Sequence, residues 1–445
     1  MKIISSLILV LFCHQLFAQA GTTVIAVGEA ELESEKILIE EPFFDGAVSP
    51  HFKAGAQEVI SILRNDFSFY KKKFYSISPI TLASSLSTTP DFEVLNKKAI
   101  KYYLKSEVVA SSGTPNLYVA FYDVSSKHKI FEGPLALTLS QMRENAHILA
   151  DSLYYSIFKK HSIFIHKVIF VSDRTSIANN KKKEAYIMDF DGKGVRQLTK
   201  HGGTVISPDI SYDSSHLIYS MIPEGKRARN VDLYLMDLKS FEYKIVSSRK
   251  GINSGAVFLP DGQHVLLTLS YTGNAEIYKL ELGSGKLTQI THHFAADVDP
   301  ALNKDGTLMT FLSDRPGKAN IYTLDPRGVG VEKDIKRISF VGLFNATPRF
   351  SPDGKEIVFS SWLDNRFDIF RINSDGSGLS RLTKDFGSNE DPSYSPDGEF
   401  IVFSSQRILS SKSAIQDIYI MDKDGEILGP LTHNFGNCTT PRWTK

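Results

Sequence analysis

The chain has 445 residues, 42% hydrophobic and 23% charged, the make-up of a globular protein and not of a disordered or fibrous one. Fifty-one Lys and Arg balance fifty Asp and Glu, which excludes the charge excess of a nucleic-acid binder or of a protein held on an anionic membrane. Two cysteines, Cys13 and Cys438, exclude a disulfide framework and every cysteine-rich zinc module.

Residues 1–20 read as an export signal. Lys2 gives the positive start, Ile3 to Leu16 the apolar core, and Ala18-Gln19-Ala20 the small-residue cleavage pattern. The apolar stretch is too short to span a bilayer. Cleavage after Ala20 removes Cys13 and delivers a chain beginning at Gly21 to an exported compartment.

Residues 21–162 read as an α/β domain. Strands are expected at Thr23–Val27 and Lys36–Ile39. Val59, Ile60, Leu63 and Phe67 give residues 52–67 helical spacing. Pro90-Asp91-Phe92 opens a second helix that runs through Ile100 and Leu104. Strands follow at 108–110 and 117–122, then two more at 130–131 and 135–139. Residues 141–158 form a long helix with Met142, Ala146, Leu149, Leu153 and Ile157 on one face.

Residues 163–445 carry a repeat. Tyr186, Tyr234, Tyr278, Tyr322, Phe370 and Tyr419 each sit in an apolar segment, at intervals of 48, 44, 44, 48 and 49. An LT-like pair follows four of them 12 residues on: Leu198-Thr199, Ile290-Thr291, Leu382-Thr383 and Leu431-Thr432. A third mark falls at Pro208, Ala256, Pro300, Pro348, Pro392 and Pro441. Turns such as Ser351-Pro352-Asp353-Gly354 and Ser395-Pro396-Asp397-Gly398 come next, with Pro pre-setting the first turn angle and Gly taking φ > 0. Asp-Gly pairs at 191–192, 375–376 and 424–425 mark the last hairpin. Four strands per unit of about 47 residues, six times over, is a six-bladed β-propeller. Thr440-Pro441-Arg442-Trp443 is the first strand of a unit that does not continue, and Lys167 to Ser172 is the second strand of a unit lacking its first. Pairing of the C-terminal strand with this first propeller strand closes the ring.

Catalytic patterns are missing. There is no G-x-S-x-G elbow. Gly283-Ser284-Gly285-Lys286 lacks the remaining residues of a phosphate loop and reads as a hairpin turn. The D-x-D-G pieces at 189–192 and 422–425 lack the other ligands of a calcium loop. His292, His293, Asp297 and Asp299 read as a solvated loop and not a metal site, and Lys71 to Lys73 as a solvated face. No catalytic residue, metal or cofactor is expected.

The export signal, the α/β domain, the "IYxMDxDG…xLT…PxF-SPDG" repeat and the segment Ala150–Phe158 leading into Val168-Ile169-Phe170-Val171-Ser172-Asp173 resemble the TolB family. That family is the exported, periplasmic propeller component of Tol–Pal systems. The resemblance implies an adaptor and not an enzyme. It implies binding of the peptidoglycan-associated lipoprotein Pal at one propeller mouth, contact with TolA through the extreme N-terminus (Gly21, Thr22, Thr23, Val24 and Ile25), and a role in outer-membrane integrity and cell division. The family's HNGAP loop reads Ile252-Asn253-Ser254-Gly255-Ala256 here. An exported propeller enzyme, a peptidase or a sugar-processing protein, is the alternative.

The expected partner site is the mouth ringed by the loops that lead into the innermost strands. Its residues are Thr204, Ile206, Ile252, Asn253, Ser254, Val298, Asp299, Asn345, Thr347, Asn389, Glu390, Asp391, Asn437 and Thr439. Arginine at Asn253 or Thr347 should block docking without altering stability. Arginine at Thr383, on an outer strand, should matter much less.

Overall fold

The computed structural model describes residues 34–445 apart from 45, 47, 78–83, 110–114, 139, 178–181, 225–229, 329–333 and 411–412. The export signal, the Gly21–Ile25 segment and the strand expected at 23–27 lie outside the described residues.

Among the described residues, the N-terminal part has three helices, α1 (Pro50–Phe69), α2 (Phe92–Lys97) and α3 (Met142–Phe158). Its sheet runs Phe74–Ile77, Glu35–Ile39, Ile100–Val109, Asn116–Asp123, His128–Ala136, with Phe43–Phe44 beside the third strand. The first two pairings are parallel and the later ones antiparallel. Helices α1 and α3 share one face, where Val59, Leu63 and Phe67 meet Ala146, Leu149 and Leu153 over Leu104, Leu117 and Phe121. Strand alternation sends Tyr103, Ala120 and Tyr122 to the other face, under Leu95 of α2.

Two sequence expectations are corrected here. The second helix stops at Lys97, and Ala99 turns the chain with φ 55°. Residues 100–104 instead begin the central strand. That strand is buried on both faces, so it lacks the alternation that would have marked it. The strands expected at 130–131 and 135–139 are one strand, His128–Ala136. Pro134 is tolerated within it because it forms the sheet's edge.

Six four-stranded antiparallel sheets follow around one axis. Blade 1 is the composite: Cys438–Trp443 innermost, then Lys167–Ser172, Glu184–Asp189 and Arg196–Gln197. Cys438 pairs with Ser172 and Trp443 with Val168, so the two chain halves close the ring as expected. Blades 2 to 6 follow in chain order, with innermost strands Thr204–Ile210, Asn253–Phe258, Asp297–Leu302, Asn345–Phe350 and Ser388–Tyr394.

The repeat spacing has a hydrogen-bonding cause. In blade 5 the LT threonine, Thr383, accepts from Ile369 N at 2.9 Å and donates to Asp368 Oδ1 at 2.8 Å. The outermost strand is thereby tied to the start of the third. Thr199 with Glu184, Thr291 with Glu276 and Thr432 with Asp417 repeat the knot. All four threonines are buried. The Asp-Gly turns have a packing cause as well: a Cβ on Gly425, at φ 96°, would fall 2.5 Å from Leu382 O of the preceding blade.

The helical domain sits on the face that carries these turns. Lys71 pairs with Glu426 at 2.5 Å, Lys72 with Asp422 and Asp424 at 2.7 and 2.8 Å, and Lys73 with Glu399 at 3.2 Å. Arg143 bridges Asp189 and Asp191. Lys71 to Lys73 are therefore an interdomain clamp and not a free solvated face. The D-x-D-G carboxylates of blades 1 and 6 receive protein cations where a calcium loop would hold metal.

Candidate functional site

An innermost strand begins at one end of the axis and ends at the other. The hairpins at Ser351–Gly354 and Ser395–Gly398 lie at the end shared with the helical domain, where Tyr70 donates to Asp397 at 2.5 Å. The opposite mouth carries the loops that lead into the innermost strands, and the residues expected to bind a partner are there. They divide into three groups.

Asn253, Asn345 and Asn389 are buried, and this corrects their assignment to an accessible surface. Asn253 donates to Val231 O and Arg249 O at 2.9 and 2.6 Å and accepts from Ser247 Oγ at 2.6 Å. Asn345 donates to Ala319 O at 3.1 Å. Asn389 joins the Asp368–Thr383 knot. A buried arginine at Asn253 would break this network and lower stability, as would one at Thr383, which is 2% exposed. Neither position separates docking from folding.

A second group lines the tunnel. Each innermost strand bulges at the residue before the proline mark: Ser207, Gly255, Asp299, Thr347, Asp391 and Thr440 all take φ between 49° and 63°. Five of the six are not glycine, so the same strained geometry is imposed by the fold at every blade. Charges gather at this level. Arg349 reaches Asp299 at 3.0 Å, Lys445 reaches Asp209 at 3.5 Å, and Asp391 accepts from Thr440 N at 3.1 Å. Burial raises the Asp391 carboxyl above the usual range. Beside it, burial and then the Asp391 charge push Glu390 up to about 7.

Thr204, Ile206, Ser254, Val298, Thr347, Glu390 and Thr439 are half-buried, while Ile252 and Asn437 are exposed. Sequence reading missed a group of exposed apolar side chains. Phe294 is 88% exposed, Phe340 71% and Leu343 69%, with Phe344 beside them. They occupy the neighbouring loops that lead into blades 4 and 5. Arg337 lies 4.3 Å over the Phe340 ring, and Phe344 and Trp362 both pack on Phe367. The available signal was bulky apolar side chains inside loops, where turn chemistry asks for polar ones.

Two reactive-looking groups in the sequence are held in structural roles. Cys438 is buried, and burial pushes its thiol up to about 11, away from a reactive thiolate. Asp297 pairs with Arg315 at 2.7 Å, and His293 accepts from Ala295 N at 3.0 Å, so the histidine loop does not converge on a metal. Among the described residues, no helix is long and apolar enough to cross a membrane.

The TolB beta propeller domain family matches residues 154–445. A protein TolB homolog from Chlorobium chlorochromatii is 29% identical over 68% of this chain and 66% of its own length. The Tol-Pal system protein TolB of Francisella tularensis is 26% identical over 50% of this chain and 51% of its own length. These matches span between about half and two thirds of the relatives. The crystal structure of TolB from Acinetobacter baumannii superposes with a TM-score of 0.75 at 22% identity, covering 92% of this chain and 96% of that one. With the six blades, the closing strand and the helical domain before them, these matches place the chain in the TolB β-propeller family.

Proposed function

We propose that the protein is the periplasmic adaptor of a Tol–Pal system, without enzymatic activity, and that it binds Pal at the propeller mouth opposite the helical domain. The observation that carries this reading is the exposed crest of Phe294, Phe340, Leu343 and Phe344 on that mouth. Exposed apolar side chains grouped on one rim, with polar residues around them, are the usual mark of a protein-docking surface. Burying two or three such anchors supplies most of the energy of a specific contact. Ile252, Ser254, Thr347 and Asn437 would then set register around the crest.

The relatives' names support the system. The engaged tunnel carboxylates and the inert thiol favour an adaptor over a peptidase or a sugar-processing enzyme. Under the same reading, residues 21–25 contact TolA, and the coupled system serves outer-membrane integrity and constriction at division. The test is co-purification. Tagged protein captured from detergent-solubilised envelope should bring down Pal. Export predicts that its N-terminal sequence starts at Gly21. Recovery of a different stoichiometric partner, with Pal absent, would overturn the reading.

A further inference from the structure

At the helical-domain end the tunnel widens into a cavity of about 330 Å³. Its wall carries five aromatic side chains, Tyr212, Phe258, Phe350, Tyr394 and Trp443, contributed by different blades. Two arginines enter it at equivalent positions, each just after a proline mark. Arg349 of blade 5 donates to Pro348 O at 2.6 Å and to Asp299 at 3.0 Å. Arg442 of blade 1 makes the matching bond to Pro441 O at 2.8 Å. It lacks the carboxylate: among the described residues no acidic oxygen lies within 4.0 Å of it, although Asp391, Asp299 and Asp209 act on it from further off.

Arg442 is only 6% exposed. A guanidinium has five N–H donors, and burial is costly unless they are paired. Here one hydrogen bond serves a buried cation, and the neighbouring positive charge of Arg349 adds to the cost. Two more buried donors are unpartnered close by, Arg349 Nε and the indole Nε1 of Trp443, whose side chain lines the cavity at 4% exposure. The nearby carboxylates are engaged elsewhere. Asp209 accepts from Phe258 N at 3.1 Å and from Lys445, Asp299 from Arg349, and Asp391 from Thr440 N.

We propose that this cavity binds a small organic oxyanion, a carboxylate or phosphate ester with an apolar body, with Arg442 as its principal anchor and Arg349 and Trp443 as further donors. A planar guanidinium takes such a group in two parallel hydrogen bonds. The aromatic wall would cover the body. A cavity of this size, mostly apolar with a few convergent donors, is typical of small-molecule sites. The proposal concerns the end of the tunnel away from the docking mouth and stands apart from Pal binding.

The chain has two tryptophans, Trp443 in this cavity and Trp362 at the far mouth. Their indole N–H signals therefore give a site reporter and an internal reference. Titrating the full-length mature protein with phenyl phosphate and with phenylacetate should shift the Trp443 signal in a saturable way and leave Trp362 in place. The stronger probe identifies phosphate or carboxylate as the preferred group. Arg442→Gln should weaken that probe at least tenfold, and Arg442→Lys, which keeps the charge, should weaken it less. Inorganic phosphate should bind more weakly than phenyl phosphate. If neither organic probe moves Trp443, or if only calcium does, the proposal fails. It also fails if folded Arg442→Gln binds as the parent does. Should Arg442→Gln not fold, the parent titration and Arg442→Lys still decide.

Discussion

Lys72 Nζ lies 2.7 Å from Asp422 Oδ2 and 2.8 Å from Asp424 Oδ2, so a lysine after α1 fills a blade 6 turn that resembles a metal loop. Lys71, Lys73 and Arg143 extend the clamp across blades 6 and 1. Partly exposed pairs of this kind are worth about 0.2–1 kcal/mol each. Lys72→Ala alone should therefore change little. Reversing Lys71, Lys72 and Lys73 to Glu should undock the helical domain, seen as rapid proteolysis near residues 159–166 and an earlier first thermal transition. A triple variant as resistant as the parent would show that the clamp is not what holds the domains together.

Two carboxyls, buried Asp66 and half-buried Glu390, make stability depend on pH. Burial pushes Asp66 up to about 6, against the opposing pull of its hydrogen bond to His147. Glu390 is pushed to about 7. Both folded values lie above the ordinary carboxylate range. Their contribution is thus complete below about pH 4 and is lost as pH rises through 6 and then 7. The melting temperature should fall between about pH 4 and pH 7. Asp66→Asn and Glu390→Gln should each flatten part of that fall. Variants that keep the full parental slope would remove these groups as its source.

Breaking a threonine knot should cost more than its place after an outermost strand suggests. Thr383→Val keeps the shape but strands the Ile369 N–H and leaves Asp368 Oδ1 with Asn389 as its remaining donor. Leaving buried partners unmet costs about 1–3 kcal/mol. Denaturant unfolding measures this directly, and a change within error would show that water replaces the hydroxyl.

The ring is held by its last strand. Deleting residues 440–445 removes the Arg442–Ile169 and Trp443–Val168 pairings and the 4%-exposed Trp443 side chain. Losing a buried Trp costs about 3–5 kcal/mol on its own. The truncated protein should be insoluble or protease-sensitive. Parental thermal unfolding would contradict the closure's importance.

The propeller was legible because its marks have separate physical causes that recur from blade to blade. The LT threonine ties strands, the Asp-Gly turn needs φ > 0, and the proline mark follows a left-handed bulge. The helical domain was less so. Residues 100–104 lie in a strand covered on both faces, where periodicity is silent. At the mouth, a polar residue at a repeat position proved ambiguous in principle. Asn253, Asn345 and Asn389 look like binding groups in the sequence, but their amides bond to the protein's own backbone and side chains. Phe294, Phe340 and Leu343 sit at non-equivalent places within two loops, 290–296 and 338–344, so no spacing rule reaches them.

The most direct measurement of the central claim is calorimetric titration of the mature protein with the soluble domain of Pal from the same organism. Phe340→Asp with Leu343→Asp should weaken binding at least tenfold, about 1.4 kcal/mol, with the melting temperature unchanged. Exchanging Lys304 for Glu, at the helical-domain end, should leave Pal binding intact. Parental affinity in the crest variant, or loss of binding only in Lys304→Glu, would contradict docking at the mouth opposite the helical domain.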